Sequence, residues 1–296
     1  MAENRFVRLA HRGVLKVGGE DRRAFLQGLI SNDIAKAGPV RAIWAAFLTP
    51  QGKFVHDLFI VERDDAFLVD VEAARAEEFR KKLSLYRLKA KVDLAVLPDL
   101  AVFVAWGAGV AAAFGLGAAA GTAAAFAEGV AFVDPRLAAA GVRLMAPASA
   151  PLPVQPAAFD EWDAMRIALG LPDGSRDLPV DKAILLENGF DELGGVDFTK
   201  GCYLGQELTS RTKHRGLVRK RLMPVTIDGP ASEPGTPVLF GEAEAGEMRS
   251  STGGVGLALI RLEHFRAAAG KPGAFACGQA RLTPGKPDWA VFPEEG

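Results

Sequence analysis

Cys202 is surrounded by residues that could assist a thiol, in the segment TKGCYLGQE at positions 199–207. Its two glycines favour a turn, and the pattern predicts that a helix follows, with Cys202 in its first turn. Unpaired backbone N–H groups at a helix start stabilise a thiolate, and the nearby cation Lys200 would add to this stabilisation. Gln206 and Glu207 offer an amide and a carboxylate for a polar ligand. A functional thiol is one interpretation; a small buried cysteine in a tight turn is the other.

Three kinds of chemistry are open to Cys202. A nucleophilic thiol needs a base, and the chain offers four histidines: His11, His56, His214 and His264. His214 lies twelve residues further on, about 18 Å along a straight helix, so the two cannot form a dyad within one helix. No CxxC or HxxxH spacing supports a zinc site. A resident cluster usually takes four thiolates, and this chain has two cysteines, Cys202 and Cys277. No resident metal is therefore predicted, although Cys202 could ligate a transient cluster shared with a partner or between two copies of the chain.

A run of cations follows the cysteine segment. It places six basic residues within eleven positions, without an acid among them: Arg211, Lys213, Arg215, Arg219, Lys220 and Arg221. Such a run is either a solvated face or a site for a polycarboxylate, a phosphate or an RNA backbone. The spacing does not separate these anions.

The composition indicates an ordinary globular protein. The chain has 296 residues, of which 49% are hydrophobic and 24% charged, with a formal net charge of −1. Its length favours two or three domains, and its near-neutral charge excludes a global attraction to nucleic acid or membrane. Two distant cysteines and an N-terminal region without an apolar core favour a reducing, cytoplasmic setting.

The elements that must position these residues alternate between strands and helices. Within residues 1–172, the pattern of apolar and turn residues predicts a helix at 21–34 with Asp21 as N-cap, a hairpin at 42–62 and an amphipathic helix at 72–88. The Ala/Gly-rich segment 108–128 is either a loose helix or a loop. Residues 148–158 are predicted to be a linker, followed by a helix at 158–172. Further strands are predicted at 12–19, 66–71, 91–97, 99–107 and 129–136. From Leu222 onward, short β-like runs predict a small antiparallel barrel or sandwich.

The string KGCYLGQE at 200–207 resembles the signature of the YgfZ family. These proteins are folate-binding iron–sulfur cluster assembly factors related to the glycine-cleavage T-protein, an aminomethyltransferase. Five further stretches match in the same order: FLQGLISNDI (25–34), LTPQGKFVHDLFI (48–60), VDPRLAAAGVRL (133–144), ENGFDELGGVDF (187–198) and GGVGLALI (253–260). The resemblance therefore covers nearly the whole chain.

The resemblance implies an α+β, T-protein-like fold of three domains. Two intertwined α/β domains would surround a central channel for tetrahydrofolate, and a C-terminal antiparallel β-barrel would follow. The first domain would comprise residues 1–45 and 150–218, with residues 46–149 inserted as the second and 219–296 forming the barrel.

The resemblance also implies site residues. Glu187 matches the acid that hydrogen-bonds the pterin ring, and Asn32 and Asp33 match a motif that lines the channel. Tyr203, Gln206 and Glu207 complete the motif's cofactor-binding candidates. By charge alone, Arg166 and the basic run would meet the folate's glutamate tail.

One departure from the T-protein is informative. The T-protein has an acidic residue where this chain has Cys202, and its catalytic aspartate in the second domain has no identified match here. The thiol instead suggests redox or cluster-related work.

The leading hypothesis is a tetrahydrofolate-binding accessory protein, not a conventional enzyme. It would assemble, deliver or repair [4Fe–4S] clusters in client enzymes, and its partners would be those clients or assembly proteins. The alternatives are a folate-dependent one-carbon transferase or demethylase and, less favoured, an RNA-binding or tRNA-modification-associated factor. No membrane partner is expected.

Overall fold

The computed structural model of the chain describes residues 3–216 and 218–292. The chain forms two compact units, each built from separate stretches of sequence. Unit 1 consists of Met1–Leu48, Val55–Trp162 and Leu193–Leu204, and unit 2 consists of Thr49–Phe54, Asp163–Glu192 and Gly205–Gly296.

Unit 1 is built on two largely antiparallel sheets. Their strands are β1 (Arg5–Arg8), β2 (Arg12–Gly18), β3 (Ile43–Leu48), β4 (Phe54–Arg63), β5 (Ala66–Glu72), β6 (Asp93–Val96), β7 (Leu100–Trp106), β8 (Ala123–Phe126), β9 (Gly129–Val133), β10 (Val142–Pro147) and β11 (Gln155–Pro156). One sheet has the order β11-β1-β7-β10-β9-β8 and the other β3-β4-β5-β2-β6. The short pair β1–β11 is parallel.

Unit 1 contains the helices α1 (Arg22–Gln27), α2 (Ala76–Arg87) and α3 (Val110–Ala113), while α4 (Phe159–Ala168) runs across the division between the units. Helices α1 and α2 pack on the second of the two sheets, and Val110 of helix α3 joins the core of the first. In α2, Phe79 and Leu83 lie one helical turn apart and are both buried. They join one apolar core with Phe47 and Phe67 of the sheet. The spacing of apolar residues thus determines which face of α2 packs inward.

Buried charges link the two sheets of unit 1. Asp70 of β5 accepts from Arg12 Nε at 2.6 Å and from Arg143 Nε of β10 at 2.8 Å. Arg12 Nη1 also bonds Asp57 of β4 at 2.7 Å. All four side chains are 2% exposed or less. Because a buried charge is stable only when paired, the four residues depend on one another.

Unit 2 contains a closed antiparallel barrel. After α5 (Gln206–His214), the chain forms β12 (Lys220–Asp228), β13 (Pro237–Phe240), β14 (Ala243–Thr252), β15 (Val255–Arg261), α6 (Leu262–Ala268), β16 (Phe275–Cys277) and β17 (Ala280–Pro284). The barrel order is β12-β15-β14-β13-β16-β17. Its interior is filled by Met223, Val238, Met248, Ile260 and Phe275. The α+β class and the predicted C-terminal barrel are confirmed.

Several predicted elements are confirmed, and others differ in extent. The hairpin β3–β4, strand β5 and helix α2 lie where they are predicted. Helix α1 is shorter than the predicted 21–34, and the side chain of Asp21 makes no capping bond to it. Asp21 instead accepts from the backbone N–H of Lys91 at 2.8 Å. The ambiguous segment 108–128 contains the short α3 and β8. Within the described residues, no helix is long and apolar enough to cross a membrane.

Candidate functional site

The cysteine segment is a loop of unit 1 held by its neighbours. Lys200 Nζ donates to the backbone carbonyls of Gln27 at 2.7 Å and Ile30 at 2.6 Å, at the end of α1. The side chain of Gln27 reciprocates by donating to the carbonyl of Lys200 at 3.2 Å. The N–H of Leu204 donates to Gly28 O at 3.0 Å. Four hydrogen bonds therefore bind the loop to α1 on both sides of Cys202.

A buried carboxylate shapes the start of this loop. Asp197 accepts from the N–H of Thr199 at 2.6 Å, from its hydroxyl at 2.7 Å and from Lys36 Nζ at 2.6 Å. Burial alone would raise the pKa of Asp197, but the hydrogen bonds from Lys36 and Thr199 lower it to about 2. The carboxylate is therefore ionised under all ordinary conditions and keeps the turn closed.

Lys200 anchors the loop, and its predicted stabilisation of the thiolate stays a prediction. Its ammonium faces two carbonyls and lies 5.0 Å from the centre of the Tyr203 ring. Burial lowers the pKa of Lys200 to about 8, although Asp33 and Asp197 oppose this shift. Tyr203 thus contacts the anchor, and no contact with folate is needed to explain its position.

Cys202 is exposed, and the interpretation as a small buried cysteine is wrong. The helix prediction needs correction too, because α5 begins at Gln206 and Cys202 precedes it by four residues. The flanking Gly201 and Gly205 have φ values of +94° and +76°, which an L residue rarely adopts. These two left-handed positions stop the helix from starting earlier and present the intervening side chains outside it.

The second cysteine has a different environment. Cys277 is 1% exposed and belongs to the apolar core of the barrel. Among the described residues, no group of three or more His, Cys, Asp and Glu side chains is arranged to hold a metal ion. Cys202 is therefore the accessible thiol of the described chain.

Glu187 lies in unit 2, on the 3-10 helix Leu185–Asn188. It is half-buried, and within the described residues its carboxylate makes no hydrogen bond or ion pair. Burial raises the pKa of Glu187, while the charges of four surrounding cations oppose the shift: Lys220, Lys53, Arg249 and Arg261. An unpartnered carboxylate in a positive field can accept hydrogen bonds from a ligand without first breaking internal ones.

Asn32 and Asp33 are engaged within unit 1. The amide nitrogen of Asn32 donates to the carbonyls of Trp44 and Gly194, both at 2.7 Å, and its oxygen accepts from the N–H of Asp33. Asp33 caps the short helix Ile34–Lys36 by accepting from Ala35 N at 3.0 Å. Both side chains thus have structural partners that the sequence motif did not reveal.

Arg166 has a structural role that corrects the expectation drawn from its charge. It is 1% exposed, and its guanidinium bonds Asp163 at 2.6 Å, Asp177 at 2.5 Å and Ser250 at 2.7 Å. A guanidinium that is fully buried and bonded in this way is not available to a glutamate tail.

The basic run is partly neutralised by acids from elsewhere in unit 2. Arg211 pairs with Glu207, and Lys213 pairs with Asp191 at 2.9 Å. Arg221 is buried and pairs with Glu192. Glu207 therefore supports α5, while Gln206 begins it. These pairs weaken the interpretation of the run as an RNA-binding stripe.

The chain is similar to known proteins over nearly its whole length. It is 35% identical to the human mitochondrial iron–sulfur cluster assembly factor IBA57, over 95% of this chain and 84% of the relative. The mouse protein of the same name is 34% identical, over 88% of this chain and 78% of the relative. This chain belongs to the IBA57 family.

Other likenesses concern the fold of this IBA57-family chain. Residues 219–292 match the family described as CAF17, C-terminal beta-barrel domain. The crystal structure of glycine cleavage system aminomethyltransferase T from Bartonella henselae superimposes with a TM-score of 0.75 at 13% identity, over 98% of this chain and 87% of that one. At this identity the likeness shows the fold alone, and the predicted T-protein-like fold is confirmed.

The names of the relatives bear on the setting of the family. The human and mouse proteins are named as mitochondrial. They do not support the predicted cytoplasmic location of this chain, which stays a prediction.

The residues that hold the loop were missed by sequence reasoning. Gln27, Lys36 and Asp197 all lie within or beside stretches that match the family motif, 25–34 and 187–198. The signal was therefore present, but their partnership with Lys200 and Thr199 depends on contacts between distant parts of the chain.

Proposed function

We propose that this chain is an iron–sulfur cluster assembly factor that uses Cys202 as its working thiol. Membership of the IBA57 family supports a role in cluster assembly, since the human and mouse relatives are named iron–sulfur cluster assembly factors. The observation that supports the residue is the exposure of Cys202 on a loop bound to α1 from both sides. The cluster is cargo here, handled together with client or assembly proteins.

The geometry suits a transient ligand better than a resident site. An exposed thiol on a fixed loop can offer one sulfur to iron, and a partner must supply the remaining thiolates, because a cluster usually takes four. The buried Cys277 does not take part. The cluster would therefore be held between two proteins and released when they separate.

Replacing Cys202 with serine tests this role. We expect the activity of [4Fe–4S] client enzymes to fall to the level of cells lacking the protein, because the oxygen is a poor ligand for iron. The variant should fold normally, since the side chain is exposed. Cys277→Ala, which keeps Cys202, is the matched control and should complement. Full complementation by Cys202→Ser would remove the role assigned to this thiol.

We also propose that tetrahydrofolate binds in unit 2 with Glu187 as the pterin acceptor, as in the YgfZ family that the motif resembles. A carboxylate accepts from a ring N–H and an exocyclic amine together. Glu187 has no hydrogen-bond partner among residues 3–216 and 218–292, and this supports the proposal, as does the positive field around it. The folate proposal is independent of the thiol chemistry, so it can be wrong while the role proposed for Cys202 stands.

Glu187→Gln tests the folate site. The amide keeps the size but loses one acceptor, and one hydrogen bond to a charged group is worth about 1.5–3 kcal/mol, or roughly 10- to 100-fold in Kd. Calorimetric titration with tetrahydrofolate should show this loss, while the exposed Glu244→Gln on the barrel should bind normally. Since burial raises the pKa of Glu187, wild-type binding should also weaken as the pH falls and the carboxyl is protonated. Equal affinities of the two variants would contradict the assignment.

A folate-dependent aminomethyl transfer is the second candidate. The T-protein-like fold favours it. Turnover of an aminomethyl donor with tetrahydrofolate by the purified chain would support it, and its absence under conditions where folate binds would count against it.

A further inference from the structure

The end of α2 exposes two leucines that the fold leaves uncovered. Leu85 is 77% exposed and Leu88 is 89% exposed, the largest values among the exposed apolar side chains of the described residues. Leu88 also has φ of +47°, in the left-handed region that is unfavourable for a leucine. The isolated chain thus bears two unfavourable features at one residue, backbone strain and an apolar side chain in water.

An apolar groove lies beside these leucines, between α1 and the end of α2. Phe25 and Leu29 of the α1 region and Tyr86 and Ala90 of the α2 region form its walls, with Gly28 along its edge. Gly28 has no side chain to fill the groove and its surface is exposed. We call this surface, with Leu85 and Leu88, the α1–α2 groove.

The α1–α2 groove is continuous with the Cys202 loop. Gly28 accepts from the N–H of Leu204, and the preceding Gln27 exchanges hydrogen bonds with Lys200. Leu204 itself packs against the apolar core to which Phe25 and Leu29 belong. A molecule seated in the groove therefore touches Gly28, which accepts one of the hydrogen bonds that hold the thiol loop.

The rim of the groove is positive. Arg87 and Lys89 line it and are exposed, and Lys81 is exposed one to two turns earlier on α2. Within the described residues Lys89 forms no ion pair. The acids nearby are Asp21, which accepts from the backbone of Lys91, and Glu20, which pairs with the Lys91 side chain at 2.7 Å. Asp21 also lines the groove and keeps its charge, because its hydrogen-bond donor is a backbone N–H. The two cations Arg87 and Lys89 against this one acid leave the lining with a net positive charge.

We propose that the α1–α2 groove is the docking surface for an acidic partner protein that shares the cluster with Cys202. An apolar side chain of the partner fills the groove against Leu88, and its carboxylates meet Arg87 and Lys89. This inference rests on the proposed function, because it assigns the remaining thiolate ligands of the shared cluster to one partner protein. The groove reaches the cysteine loop through Gly28, which accepts from the N–H of Leu204, two residues after Cys202.

Charge and shape favour an acidic protein as the occupant of the groove over a second copy of the chain or a lipid surface. A second copy of the chain would set one basic rim against another, which is repulsive. A lipid surface would attract the cations, but a flat headgroup layer leaves a concave groove unfilled. An acidic protein with a protruding apolar residue satisfies both features.

The test begins with the photo-crosslinker p-benzoylphenylalanine at position 88 of the full-length chain in cells. Position 40 is the matched control, because Val40 is also an exposed apolar residue of unit 1, at 74%. We expect a position-88 adduct that mass spectrometry identifies as an acidic protein with cluster-binding cysteines, and no such adduct from position 40. The identified protein is then purified and titrated with the wild-type chain, Leu88→Asp, Lys89→Glu and Val40→Asp.

The expected results are specific. Leu88→Asp should weaken Kd by about 30-fold or more, as for a central interface residue, while Val40→Asp should leave it unchanged. Lys89→Glu should mainly slow association and reduce its dependence on salt. Cys202 in the Leu88→Asp variant should still be alkylated by iodoacetamide at the wild-type rate.

Four results would overturn the proposal. They are the absence of a position-88 adduct, an adduct between two copies of the chain, Leu88-dependent binding to vesicles of anionic phosphatidylserine, and an unchanged Kd for Leu88→Asp. Failure of the proposed function is distinguishable. If Cys202→Ser abolishes client activity but Leu88→Asp does not, only the docking surface is wrong. If Leu88→Asp weakens the partner but Cys202→Ser complements fully, docking stands and the role of the thiol falls.

Discussion

The exposure of Cys202 is a consequence of the residues on either side of it. Gly201 and Gly205 allow the backbone to take left-handed φ values, and Lys200 ties the loop to carbonyl groups at the end of α1. The last carbonyls of a helix cannot be bonded by a following turn, so an ammonium ion is a suitable donor at this place. The lysine is thus a positioning residue for the thiol.

Lys200→Met should free this loop. The methionine keeps the length of the side chain but loses charged hydrogen bonds that are each worth about 1.5–3 kcal/mol. The N–H of Leu204 should then exchange with solvent about 10-fold faster or more, as followed by hydrogen–deuterium exchange. Lys81→Met, on the exposed face of α2, is the control and should change nothing. Equal exchange in both variants would show that Lys200 does not hold the loop.

At the scale of elements, the barrel depends on close contact between β14 and β15. Gly246 of β14 pairs with Ile260 of β15, and a Cβ at position 246 would lie 2.1 Å from the carbonyl oxygen of Leu259. That oxygen belongs to the backbone and cannot move aside like a flexible side chain. A glycine in this strand therefore serves strand pairing and not flexibility.

Gly246→Ala should destabilise the barrel. Forcing a methyl group into a packed space costs about 1–3 kcal/mol, which urea denaturation of the purified protein will measure as a lower midpoint. Gly285→Ala is a suitable control, since a Cβ there would meet no atom closer than 3.9 Å. A midpoint unchanged by Gly246→Ala would mean that β14 and β15 separate easily.

The stability of the whole molecule against unfolding depends on one histidine of unit 1 that must stay neutral. His56 is fully buried, stacks on Phe79 with ring centres 4.4 Å apart, and within the described residues neither ring nitrogen has a hydrogen-bond partner. Burial lowers the pKa of His56 to about 2, and the charges of Arg75, Arg12 and Lys82 contribute. The folded state therefore holds the ring neutral at physiological pH.

The free energy of unfolding should fall as the pH falls below about 6.5, the ordinary pKa of histidine in the unfolded chain. Between this value and the folded pKa of about 2, the unfolded state binds one more proton, which costs about 1.4 kcal/mol of stability per pH unit. His56→Leu should lower the slope by that amount, measured by tryptophan fluorescence in urea between pH 6 and pH 4. His214→Gln, at an exposed position, should keep the wild-type slope. Identical slopes in all three proteins would refute this role of His56.

Local patterns were sufficient to predict much of the secondary structure. The hairpin β3–β4 and the helix α2 have clear apolar patterns bounded by turn residues, so burial and local propensity agree. Strand β14, with the sequence AEAGEMRSST, has few large apolar residues, so local patterns give little sign of it. Small residues there are required by the neighbouring strand, which is not visible in a local window.

Local patterns of apolar and turn residues were enough to predict a mixed α+β chain that ends in short strands, but they left a barrel or a sandwich open. The resemblance carried by KGCYLGQE implied the T-protein-like fold and the barrel. The environment of the site residues became visible only in the folded chain. Cys202 lies before the helix and not inside it, Lys200 bonds the end of α1, and Arg166 is buried among acids. Glu187 has no hydrogen-bond partner among the residues that the structure describes. The partners of Arg166 and Lys200 include groups 11 to 173 residues away in the chain. A local window cannot reveal them, because a buried charge is stable only with the partners that folding brings near it.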